Sequence, residues 1–213
     1  MDTVSSSAVL VLFGQSLLIG LSIAAPVGQI GVLAIQRTLD QGRAAGLATG
    51  LGAAFADAVY GAIGAFGITG LMAWLLGLRF WLALFGGAFL LWLAWRIARR
   101  PVVRSAGGHP PAGTLLRHVT GTFVLTLSNP TTILSFMAVF GALAGRAPAA
   151  SPWAMVAGVL VGSALWWLVL ATAVGWLRDR FDDRWQRAVN RGSALLLAGL
   201  GLWQLLTLVP FAR

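Results

Sequence analysis

The chain has 213 residues, of which 58% are hydrophobic and only 10% charged. Soluble domains carry about 25% charged residues, so a water-facing globule is excluded and a lipid-facing surface is implied. The formal net charge of +9 is Arg set against Asp, with no Lys and no Glu. No soluble basic face exists to carry that charge to nucleic acid, and the absence of Cys excludes disulfides and thiolate metal sites.

A spanning helix needs about 20 apolar residues. Continuous apolar runs fall at 9–36, 43–66, 80–98, 117–143, 152–177 and 188–209. They predict an all-α integral membrane protein with six transmembrane helices in one membrane domain. The runs do not alternate, so a strand-built barrel is excluded. The first run is too long for one straight span, and Pro26 interrupts it. With Asp2 as its only early charge it lacks the positive start of a signal peptide, and it reads as an uncleaved first span.

Between the second and third runs, TGLMAWLLGL at 69–78 reads as an interfacial segment ahead of Arg79. The connection after the third run is Pro/Gly-rich, with a loop expected over 99–116. It carries His109 and His118, nine residues apart and without metal-ligand spacing. RDRFDDRWQRAVNR, before the last run, reads as a solvated amphipathic turn. Twelve of the fifteen Arg fall in the 1–2, 3–4 and 5–6 connections. The positive-inside rule puts those connections in the cytoplasm and both termini outside.

Between Arg43 and Arg79 the only charge is Asp57. An acid near the middle of a span costs roughly 2.5–3.5 kcal/mol on insertion scales and is by default a functional-site hypothesis. At 100° per residue, Gly46, Gly50 and Gly64 lie within about 20° of Asp57, and Ala53 and Gly61 within about 40°. That small-residue stripe packs against protein. Two readings follow: a proton carrier or counter-charge for a cationic group, or a structural acid bonded to a backbone gap at Pro26 or Pro130. Tyr60, one turn on, can donate a hydrogen bond.

Six spans divide into three and three. A tandem three-span unit must invert, which predicts repeats over about 8–98 and 117–209 with a site near the midplane. GLSIAAPVGQIGVL in the first span and TLSNPTTILSFMAV in the fourth share Leu-Ser, a Pro, and small or polar residues. Pro26 and Pro130 each lack an N–H, so each opens the helical ladder inside the membrane. Beside the breaks stand Ser22, Gly28 and Gln29 in one half, and Ser128, Asn129, Thr131 and Thr132 in the other.

APVGQIGVLAIQRTLDQGRAAGLATGLGAAFADAVYGAIGAFG resembles the N-terminal signature of the LysE/RhtB family of bacterial amino-acid exporters. WLALFGGAFLLWLAWRIARR resembles that family's third span, and LSNPTTILSFMAVFGAL its Asn-Pro helix. One departure stands out: Gln29 occupies the place of a second Pro, in PVGQ. The resemblance implies proton-powered efflux of amino acids or similar metabolites across the bacterial inner membrane. It implies a site centred on Pro26, Gly28, Asp57, Asn129 and Pro130.

The expected partners are a small-molecule substrate and the lipid bilayer. No cofactor and no metal is expected, and a homo-oligomer is compatible with the reading. The competing readings are a divalent-metal or other cation exporter, a membrane enzyme acting on lipids, and a non-transporting scaffold. One buried Asp without Cys or a membrane His is a poor cation cage, and no catalytic constellation or ATP-binding motif is visible.

Overall fold

The computed structural model describes residues 2–26, 28–66, 74, 77–99, 110–143, 151–178, 183–206 and 208. Among them the fold is helical, without strands. The helices are α1 (Asp2–Ala24), α2 (Gln29–Gln41), α3 (Arg43–Ala65), α4 (Arg79–Arg99), α5 (Ala112–Leu127), α6 (Pro130–Leu143), α7 (Pro152–Arg178) and α8 (Asp183–Leu206). Ser6–Ala24, Arg43–Ala65 and Pro152–Leu177 are each long and apolar enough to cross a membrane. α5 and α6 pass the same test together, as a pair bent by 65°.

The first apolar run divides where Pro26 predicts. The ladder of α1 ends with the Ala25 N–H on the Leu21 carbonyl at 2.9 Å and resumes with the Val32 N–H on the Gly28 carbonyl at 3.0 Å. Between them the Gly28 N–H closes a tight turn on the Pro26 carbonyl at 2.9 Å. α2 then turns back into α3 through one residue. Gly42 sits at φ 91°, ψ 174°, a region open essentially to Gly alone.

The second break also begins at a proline. Pro130 has no N–H for the Thr126 carbonyl four residues back, and the Asn129 N–H takes that carbonyl at 3.1 Å instead. Asn129 Oδ1 accepts the Thr131 N–H at 3.1 Å, a side-chain cap on α6 with Pro at its first position. α5 starts at Ala112, inside the expected loop, because Pro111 serves as its N-cap and its carbonyl accepts the Thr114 N–H at 2.8 Å. His118 is therefore a helical residue. His109, most of 69–78, and 179–182 of the Arg/Asp segment lie outside the described residues; Arg178 ends α7, and the segment from Asp183 on opens α8 as regular helix.

Packing follows glycine. A methyl group at Gly20 would overlap the Val159 carbonyl, at Gly158 the Phe13 carbonyl, and at Gly162 the Leu17 carbonyl, so α1 and α7 pack at backbone contact. Gly52 brings α3 equally close to the Val119 carbonyl of α5. Gly87 and Gly201 do the same between α4 and α8. Without a hydrophobic drive between helices in lipid, such close approach is what holds spans together. α3 lies innermost, packed on α2, α5 and α7. The outer faces stay apolar: Trp81, Phe85, Trp95, Leu168 and Leu195 are all exposed.

Candidate functional site

Asp57 is 3% exposed and Tyr60 fully buried, as the small-residue stripe of α3 predicts. Gly46, Gly50, Ala53 and Gly61 are buried with them. Ser163 of α7 donates its hydroxyl to Asp57 Oδ2 at 2.7 Å, and Trp167 Nε1 donates to Ser163 Oγ at 3.2 Å. An indole N–H only donates, so Ser163 accepts from the ring and turns its own proton to the carboxyl. Trp167 fits against α3 because Gly50 has no side chain there; a methyl at Gly50 would overlap the Trp167 side chain. The carboxyl is thus held by a two-step chain of donors inside a packed seam.

Tyr60 meets the second break. Its hydroxyl donates to the Leu127 carbonyl at 2.7 Å. In an unbroken helix that carbonyl would take the Thr131 N–H, which Asn129 has captured. The Tyr60 ring stacks on Phe136 of α6, with centroids 5.4 Å apart. The backbone gap is therefore filled by Tyr60, whereas Asp57 bonds to a side chain of α7, which no sequence pattern singled out.

The other predicted residues divide. Gln29 is buried, and Gly28, Ser128, Asn129 and Thr132 are half-buried near the breaks. Ser22, Pro26 and Thr131 are exposed. Ser22 and Thr131 point away from the interior because the phase of a helix beside a break is not fixed by spacing alone. Pro130 opens α6.

A second, part-buried polar cluster lies along α2, α3 and α5. Arg37 Nη1 donates to Thr49 Oγ1 and to Thr122 Oγ1, each at 3.0 Å. His118 Nε2 and Gln41 Oε1 are 2.9 Å apart. Arg43 Nη2 reaches Thr172 Oγ1 of α7 at 3.0 Å. Two surface grooves, of about 730 and 530 Å³, lie away from Asp57: one beside the Arg43–Thr172 contact and Trp176, the other at Phe55, Val59, Phe123 and Val156. Asp57 lines neither. Among the described residues no group of three His, Cys, Asp or Glu side chains comes together to hold a metal ion.

A helical membrane protein with a buried acid and helix breaks at Pro26 and Pro130 is the class these features define. Residues 21–207 match the LysE type translocator family, and the chain belongs to that family. It is 32% identical over 148 residues to the uncharacterized membrane protein YahN of Escherichia coli, a match covering 65% of this chain and 64% of that one, just under two thirds of the relative's length. It is 31% identical to the chemotactic transduction protein ChpE of Pseudomonas aeruginosa, over 90% of this chain and 96% of that one. It is 26% identical to YcgF of Bacillus subtilis, named as a putative amino acid efflux protein, over 88% and 93% of the two chains. No solved structure matches.

Proposed function

We propose that the protein is a secondary-active exporter of amino acids or related small metabolites across the bacterial inner membrane, driven by protons, with Asp57 as the group that exchanges a proton or meets the substrate amine. The observation carrying this is Asp57 itself. It is an acid in the middle of a spanning helix, buried, and held by Ser163 Oγ at 2.7 Å, one turn from a tyrosine bonded to a helix break. An intramembrane acid is retained where it carries charge or protons. Membership of a translocator family and a relative named for amino acid efflux support the cargo class.

The reading includes six spans in two inverted three-helix halves, with the Arg-rich connections and the α2–α3 turn in the cytoplasm and both termini outside. Its support is the pairing of like with like. α3 packs on α7 and α4 on α8, while α1 packs on α7 as α5 packs on α3. A two-fold relation between α1–α4 and α5–α8 would produce those pairings.

The test is uptake of radiolabelled amino acids into inverted membrane vesicles under an imposed proton gradient. Gradient-driven accumulation that collapses with a protonophore is expected. Across a panel covering charged, polar and apolar amino acids, a lack of accumulation above empty vesicles would remove the exporter reading.

A further inference from the structure

α5 carries a polar row that transport by Asp57 does not use. His118, Thr122 and Thr126 are spaced four residues apart and so share one helix face; all three are buried. Asn129 follows at the break. On α2, Gln41 and Arg37 meet this row, and Leu33 and Gln29 continue their helix face, again four apart and running the opposite way. The contacts follow that antiparallel register, with Gln41 on His118 and Arg37 on Thr122. The next rung sets Thr126 opposite the level of Leu33.

Three features separate this seam from ordinary helix packing. First, α2 and α5 make almost no backbone contact, whereas α5 packs on α3 at glycine distance. Long side chains bridge the gap between α2 and α5, and long side chains can change rotamer without moving a helix. Second, the Thr126 hydroxyl is buried and has no hydrogen-bond partner among the described residues. Thr38 and Thr49 satisfy theirs on the carbonyl four residues back, at 2.7 and 2.8 Å; Thr126 does not. A buried hydroxyl without a partner is one that a water or a passing polar group can satisfy. Third, the row leads to the second break, because Thr126 adjoins Leu127, whose carbonyl holds Tyr60.

We propose that the α2–α5 seam, lined by Gln41, Arg37, His118, Thr122 and Thr126, is one half of the translocation path, along which a small zwitterionic solute passes between the Arg-rich end of the bundle and the break at Asn129. The guanidinium of Arg37 suits a carboxylate, and the hydroxyls suit a polar solute stripped of water. Thr49, which holds Arg37, lies eight residues before Asp57 on α3, about 12 Å at 1.5 Å per residue. In this structure the seam is shut by its own rungs. The inference rests on the exporter reading for its cargo; its geometry is testable without it.

The chain contains no Cys, so single cysteines can be placed without background. Thr122→Cys and Thr126→Cys, with Val124→Cys as control, are reconstituted in liposomes and treated with a membrane-impermeant sulfonated methanethiosulfonate. Val124 lies at the same depth on the same helix but is 59% exposed on the outer face. Both seam thiols are expected to react at least tenfold faster than the thiol of the Val124→Cys control. Thr126→Cys breaks no hydrogen bond, so it keeps the test valid where Thr122→Cys disturbs Arg37. Seam thiols as inert as the control thiol, in a protein that still exports amino acids, would overturn the path and leave the exporter reading standing. Reactive seam thiols in a protein that exports no amino acid would support the path and remove the cargo.

Discussion

The two helix breaks are opened by the same residue type and closed by different chemistry. At the first, around Pro26, the hydrogen bonds found among the described residues are backbone ones. Gly28 caps α2 without a side-chain hydrogen bond, and the turn is made by the Gly28 N–H alone. At the second, around Pro130, side chains finish the work: Asn129 caps α6 and Tyr60 takes the Leu127 carbonyl. The second break is thus tied to α3, three residues from Asp57, and a change in its geometry is felt by the helix that carries the acid. The first break leaves the leading N–H groups of α2 without a side-chain cap, beside buried Gln29. One break is coupled to the acid; the other has no side-chain cap.

The largest expected effect tests the coupled side. Asp57→Asn keeps the shape and an acceptor for Ser163 but cannot cycle a proton. Gradient-driven export is expected to fall by about tenfold or more, a barrier change of about 1.4 kcal/mol at least. The amount of protein in the membrane should stay near wild type, and amino-acid exchange without a gradient should persist. Undiminished gradient-driven uptake by this variant would take Asp57 off the proton route. Next comes Tyr60→Phe. The ring stack on Phe136 survives, but the buried Leu127 carbonyl loses its donor, a loss of about 1–3 kcal/mol. Thermal unfolding followed in detergent should show it, and export should fall with it if the break and the acid are coupled.

How much of this was legible in the sequence depends on whether the signal was local. Asp57 announced itself because one charge in a long apolar run needs no partner to be noticed, and the glycine spacing gave its direction. Both breaks could be read because proline acts on its own backbone. Ser163 could not be read as the partner, since a lone Ser in an apolar span is usually silent. Its one signal is position: it follows Pro130 by 33 residues, much as Asp57 follows Pro26 by 31. In the sequence, Arg37 reads as a loop charge that bears on orientation. α2 continues past it for another turn, and Gly42, not Arg37, ends the helix. That turn places the guanidinium against Thr49 and Thr122, inside the bundle. Ser22 and Thr131 stand close in sequence to a proline, which says nothing about which way a helix faces.

Smaller effects separate the two caps. Asn129→Ala removes the α6 cap and should cost about 1 kcal/mol, visible as a lower unfolding temperature.

The converse change at the first break is smaller and more telling. Gly28 stands at φ −100°, ψ −162°, extended backbone open to any residue. A Cβ added there meets no heavy atom within 4 Å. Gly28→Asn should therefore fit and supply the missing cap, a gain of a few tenths of a kcal/mol with a little more from a less flexible unfolded chain. Stability should rise slightly. Export should fall, because the added carboxamide occupies the N–H groups that the first break otherwise leaves open to a substrate carboxylate. If stability and export rise together, the uncapped state of α2 has no part in transport, and the difference between the two breaks is one of construction only.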